Sequence, residues 1–189
     1  MRYLCIVQLA IAIILGSCSG ISQTSESTDG AWETTLSDKI PLLGHRNWIV
    51  VTDMAYPLQT APGITTIYAP QSFCEVVGLV AGNIRKSRHL SSIVYQDSEL
   101  LGLTPAMAPG VTAYRDSLSR ELSDMHMVYM PHERLIHKLD SAAALYQVII
   151  IKTGLTMPYS SVFFELGCGY WDDKREIALR EAVGYQSPN

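Results

Sequence analysis

A chain of 189 residues with 48 % apolar content has material for one folded domain with short extensions, and its composition is not that of a disordered protein. A formal net charge of −4, from 18 acidic and 14 basic residues, argues against a nucleic-acid partner. The local cluster Arg85-Lys86-Ser87-Arg88-His89 reads as cations closing a helix at its negative end.

The chain opens with Met1-Arg2, an apolar run of 12 residues from Leu4 to Leu15, and the small residues Gly16-Ser17 before Cys18. A bilayer takes roughly 20 helical residues, so residues 1–17 are expected to be a secretion signal. Leu15-Gly16-Ser17-Cys18 resembles the lipobox of bacterial lipoproteins, in which the signal is cut before the cysteine and lipid is added to it. The resemblance implies an exported, membrane-anchored bacterial lipoprotein, facing the periplasm or the cell surface, with Cys18 as the lipidated residue. An ordinary cleaved signal with an incidental cysteine is the alternative. Residues 18–34 start with a stretch rich in Ser, Thr and Gly and are expected to form a flexible tether. Cleavage would remove Arg2 alone among the charges, leaving 13 basic and 18 acidic residues. With Cys5 lost and Cys18 acylated, Cys74 and Cys168 remain, too few for a disulfide framework and without a C-x-x-C motif. Cys74 sits in an apolar helical pattern, as a small buried hydrophobe does.

In the body of the chain, a short helix is expected over Thr35 to Leu43, stopped by Gly44, and a strand over Trp48 to Thr52. Pro57 and Pro62 mark a loop from Met54 to Gly63, and Ile64 to Tyr68 is a second strand. Pro70 can open a helix in which Phe73, Val76, Val77, Val80 and Ile84 share one face. Ser92 to Tyr95 reads as strand, followed by a loop through Pro105 and Pro109 and a helix marked by Val111, Tyr114, Leu118 and Leu122. The cycle repeats as strand Met125 to Met130, helix Pro131 to Ala144 with Leu135, Ile136 and Leu139 inward, and strand Gln147 to Lys152. Thr153 to Ser160 is a loop, Ser161 to Leu166 a last strand, and residues 172–189 a charged, helical C-terminal extension. Alternating strands and helices argue for an α/β layered domain.

Three places put reactive groups at strand or helix ends: His45 with Asp53, His132 after Pro131, and Tyr159 with Ser160 and Ser161. Gly44-His45 followed by Val50-Val51-Thr52-Asp53-Met54-Ala55-Tyr56-Pro57 resembles the opening motif of the RbsD/FucU family, the D-ribose pyranases and fucose mutarotases. Ile151-Lys152-Thr153-Gly154, then Pro158-Tyr159-Ser160-Ser161-Val162-Phe163-Phe164 and Gly167, is similar to that family's closing motif. The likeness spans the domain at 35–171 and implies a three-layer α/β/α fold around a mixed, largely parallel sheet. It also implies roles: His45 as proton donor, with Asp53, His132 and Tyr159 binding sugar. Two positions depart from the family. Its Tyr-x-Asn is here Tyr159-Ser160-Ser161, so Ser161 offers a hydroxyl to the sugar in place of an amide, and Asn47 stands where Asp is common.

The residue types suit mutarotation, in which the ring oxygen is protonated while a base removes the anomeric hydroxyl proton. Histidine titrates near neutral pH and can donate and accept on each cycle, worth roughly 10²–10⁴-fold. Asp53 is a strong acceptor for sugar hydroxyls, and no metal or redox cofactor is required. His132 and His137 are spaced i, i+5, about 140° apart around a helix, so they do not form a zinc pair.

Eight residue steps separate His45 from Asp53, up to about 26 Å in an extended chain. Either the chain folds back around Arg46-Asn47, or the two residues meet at a subunit contact; the resemblance implies ring-shaped homo-oligomers with sites at such contacts. The expected function is a membrane-tethered mutarotase or pyranase acting on a monosaccharide. A non-catalytic carbohydrate-binding lipoprotein and a purely structural surface lipoprotein are the alternatives.

Overall fold

The computed structural model describes residues 30–184. The expected signal, Cys18 and most of the tether lie outside the described residues. No helix among the described residues is long and apolar enough to cross a membrane.

Six strands form one sheet: β1 (Trp48–Thr52), β2 (Ile64–Tyr68), β3 (Leu90–Asp97), β4 (His126–Met130), β5 (Val148–Lys152) and β6 (Val162–Cys168), in the order β2-β5-β1-β6-β3-β4. β1 is parallel to β5, as are β2 to β5 and β3 to β4, whereas β6 runs antiparallel to both β1 and β3. Five strands therefore share one direction and β6 alone opposes them. The expected mixed, largely parallel sheet is present.

β1 is buried along its whole length because helices cover both faces of the sheet, which is why its sequence is a continuous apolar run. Ile49 and Val51 point to one core, completed by α1 (Ala31–Lys39), α2 (Phe73–Lys86) and α3 (Val111–Glu121). Trp48 and Val50 point to the other, closed by α4 (His132–Ala143) and the loop after β1 through Tyr56. The result is the three-layer α/β/α arrangement. α5 (Asp173–Ala182) begins with the Asp172 side chain accepting a bond from the Arg175 N–H and buries none of its residues.

Several boundaries differ from expectation. α1 starts at Ala31, inside the expected tether, because Trp32 is only 3 % exposed and its indole N–H donates to Gln71 Oε1 at 2.6 Å. β3 runs two residues past Tyr95 to Asp97, since Gln96 pairs with Val162 of β6 and Asp97 with Met130 of β4. A 3₁₀ turn over Ser98–Gly102 follows it within the expected loop. In α4, Leu135 and Leu139 are buried, while Ile136 is half-buried at the rim. Cys74 is half-buried against the core, and both it and Cys168 are free thiols. Arg85 and Lys86 fall in the last turn of α2, as expected, and Arg85 pairs with Asp124 and donates to the Glu121 carbonyl.

Candidate active site

Asp53 follows β1, Asp97 ends β3 and His132 follows β4, so all three stand at the carboxyl edge of the parallel strands. β6 begins at that same edge because it runs the other way, which brings in Tyr159 and Ser161. Ligands of open α/β sheets gather there. A cleft of about 350 Å³ occupies the position, lined by Asp53, Tyr56, Gln59, Asp97, His132, Ile136, Tyr159 and Ser161 among its residues. A second hollow of about 380 Å³ between α3 and β4 holds none of the expected site residues.

Local bonds fix each group. Asp53 Oδ1 accepts the Ala55 N–H at 2.7 Å, which turns the chain sharply after β1. Lys152, at the end of β5, donates to the Tyr56 carbonyl and ties that loop over the sheet. Tyr56 is buried, and its hydroxyl has no hydrogen-bond partner. Burial first, then the carboxylates of Asp140, Asp97 and Asp53, hold its pKa well above the usual phenol value. A neutral phenol with a free donor suits a sugar hydroxyl.

Tyr159 has φ 56, a left-handed conformation that a bulky side chain adopts at a cost of roughly 1–3 kcal/mol. The fully buried Ser160 holds the loop in that shape. Its hydroxyl donates to the Met157 carbonyl at 2.8 Å, and its own carbonyl accepts the Tyr114 hydroxyl at 2.5 Å. The strain delivers the Tyr159 ring edge-on to His132, with centroids 5.6 Å apart. Ser161, 4 % exposed, borders the cleft beneath them.

His132 occupies the first turn of α4, where the preceding Pro131 offers no capping side chain. Both carboxylate oxygens of Glu99 accept its backbone N–H, at 3.0 and 3.1 Å, and so cap the helix from the turn after β3. Desolvation raises the Glu99 pKa, but that bond and the bonds from its own backbone and Ser98 prevail and leave it below its usual value. The His132 ring presents Nδ1 to Asp97 Oδ2 at 3.2 Å. Asp97 is 1 % exposed, and burial raises its pKa against the opposing pull of His132.

His45 is exposed and does not line this cleft. It lies in a tight turn whose next residue, Arg46, has φ 74. The Arg46 N–H donates to the Leu166 carbonyl at 2.9 Å, near the far end of β6. Asn47 clamps the turn: its Oδ1 accepts the Gly44 N–H at 2.7 Å and its Nδ2 donates to the Gln147 carbonyl at 3.3 Å. An aspartate there could accept the first bond but not donate the second. Of the two routes open to the sequence, the chain does not fold His45 back onto Asp53.

The structure thus gathers Asp53, His132, Tyr159 and Ser161, and leaves His45 apart. Reading the sequence missed Asp97, Tyr56, Gln59 and Glu99. Asp97 carried a usable signal, since Ile93-Val94-Tyr95-Gln96-Asp97 ends an apolar strand on an acid just as Val50-Val51-Thr52-Asp53 does. Glu99 and Gln59 carried none, because both act through elements remote in sequence. Among the described residues no group of three or more His, Cys, Asp or Glu could hold a metal ion.

Fold and cleft together define an α/β protein whose candidate ligand cleft, at the carboxyl ends of its parallel strands, is lined by carboxylates, phenols and an imidazole. Residues 28–169 match the RbsD / FucU transport protein family, and the chain belongs to that family. No curated protein sequence matches it. Among solved structures it is similar to Bacillus subtilis RbsD complexed with D-ribose, at 18 % identity and a TM-score of 0.52, over 71 % of this chain and 92 % of that one. The fucose mutarotase of Streptococcus pneumoniae in complex with L-fucose is also similar, at 18 % identity and a TM-score of 0.48, over 70 % of this chain and 91 % of that one. The first likeness establishes the shared fold.

Proposed function

We propose that the protein is a sugar mutarotase or pyranase-like isomerase that interconverts cyclic forms of a monosaccharide by histidine acid/base catalysis. One observation carries this reading: a single cleft collects Asp53, His132, Tyr159 and Ser161, the groups assigned to sugar binding from the motifs. Membership in the RbsD / FucU family supports a sugar as the ligand. Asp53 accepts hydroxyl protons, while Tyr159 and Tyr56 offer phenols that both donate and accept.

His45 enters from a second copy of the chain. It is exposed at the opposite edge of the sheet, so an assembly that sets that edge against a neighbour's cleft completes each site. His45 then protonates the ring oxygen as the ring opens and recovers the proton on closure. The protein is proposed to act outside the cytoplasm, anchored by lipid on Cys18, on a sugar of that compartment.

A non-catalytic carbohydrate-binding lipoprotein is the second reading. It is favoured by Ser161 standing in place of an amide and by the distance of His45 from the cleft in one chain.

Saturation-transfer NMR on a panel of free monosaccharides, D-ribose and L-fucose included, tests the proposal. Enhanced exchange between cyclic forms is expected, and His45→Ala should abolish it in a folded protein. Exchange that survives in His45→Ala overturns the mechanism. Line broadening without exchange supports the binding reading, and no response to any sugar overturns both.

A further inference from the structure

Hydroxyl binding alone leaves the setting of His132 unexplained. Its Nδ1 faces a carboxylate that is 99 % buried, and Asp97 Oδ1 has no hydrogen-bond partner at all. Burying an ionisable group with so little compensation opposes folding. A histidine that served only as a neutral hydroxyl ligand would be held as well by an asparagine or a backbone carbonyl.

The remaining contacts pin the ring from its other sides. Glu99 fixes the His132 backbone through the N–H, and Tyr159 abuts the ring edge-on at 5.6 Å. With Nδ1 turned to Asp97, Nε2 lies on the far side of the imidazole, and His132 lines the cleft together with Asp53 and Tyr56. The 3.2 Å approach of Nδ1 is not in line for a hydrogen bond. Catalytic pairs are commonly loose in this way and tighten toward the transition state.

We infer that His132 is the base that takes the anomeric hydroxyl proton, and that Asp97 is its positioning residue, holding the proton of the neutral ring on Nδ1. This rests on the mutarotase reading and adds to it the second proton-transfer group. In ring opening, His132 Nε2 takes the proton from the anomeric oxygen, and the electron pair of that O–H bond becomes the second bond of C1=O. The bond from C1 to the ring oxygen breaks. Its pair stays on the ring oxygen, which takes a proton from the His45 imidazolium of a neighbouring copy. One proton leaves the sugar and one arrives, so the open chain is neutral, and one positive charge has passed from His45 to His132 beside the Asp97 carboxylate. Rotation about C1–C2 and the reverse transfers close the ring, with no oxidation or reduction.

The experiment uses the assembled full-length protein labelled with 15N-histidine, the His132 signals being assigned by their loss in His132→Gln. Ring 15N shifts of neutral His132 should show the proton on Nδ1 in the wild type and on a mixture of the two nitrogens in Asp97→Asn. The exchange kcat should fall about 100-fold or more in both Asp97→Asn and His132→Gln, while KM changes far less in Asp97→Asn. Asp97→Glu should restore part of the rate. If Asp97→Asn fails to fold, His132→Gln, at a half-exposed position, still decides the base. Wild-type exchange that survives in Asp97→Asn with an unchanged tautomer overturns the inference and leaves the mutarotase reading standing. No exchange in the wild type overturns both.

Discussion

His45 and Asp53 bracket one strand and lie at opposite edges of the sheet. The Arg46 N–H beside His45 bonds to Leu166 at 2.9 Å, whereas Asp53 shares the cleft with Ser161, at the other end of β6. Five steps of extended chain separate Ser161 from Leu166, about 17 Å. One sugar cannot touch both residues of one chain.

Complementation between dead variants follows from that geometry. His45→Ala and Asp53→Ala should each be inactive, yet subunits mixed during refolding should recover about a quarter of wild-type exchange, since that share of contacts joins an intact His45 to an intact cleft. Light scattering on the wild type should report a homo-oligomer. A monodisperse monomer with full activity would contradict both expectations.

Asn47 should matter through the His45 turn. Asn47→Ala removes the bonds to Gly44 and Gln147 and is expected to cost about 1–2 kcal/mol in urea denaturation. A displaced His45 should slow exchange by at least tenfold. Asn47→Asp keeps the acceptor alone and should fall between the two; equal rates in all three would show that the clamp is irrelevant.

Asp97 should trade stability against rate. Its folded pKa is raised above the ordinary carboxylate value, chiefly by burial. A carboxyl shifted upward stabilises the fold while protonated, fully below its unfolded pKa, and that contribution is lost as pH rises through the folded value. At neutral pH it is a net cost. Asp97→Asn should therefore melt about 2–4 °C higher than wild type at pH 7, with the gain shrinking toward pH 4. A lower Tm at pH 7 would refute the assignment.

Tyr159 combines backbone strain with a contact to His132. Asn tolerates its φ of 56, so Tyr159→Asn is expected to keep stability within about 1 kcal/mol while sugar affinity drops at least tenfold, read by NMR titration. Unchanged affinity would remove Tyr159 from the site.

The sequence carried most of the layer order. Continuous apolar runs such as Trp48 to Thr52 betray a strand buried on both faces, and the spacing of Phe73, Val76, Val77, Val80 and Ile84 betrays a one-sided helix. It misplaced ends where a distant contact decides them. Trp32 belongs to α1 only because Gln71 and the core receive it, and Gln96 and Asp97 belong to β3 only because β4 and β6 pair with them.

Periodicity by itself marked the elements, and motif order marked the family resemblance and through it the candidates His45, Asp53, His132, Tyr159 and Ser161, because those signals are local. Tertiary structure alone decided that the antiparallel β6 carries Tyr159 and Ser161 to the carboxyl edge, that Asp97 backs His132, and that His45 stands at the other edge. Sheet order and strand direction are set by pairing between segments as much as 117 residues apart, as Trp48 and Glu165 are, and no short window of sequence contains that information.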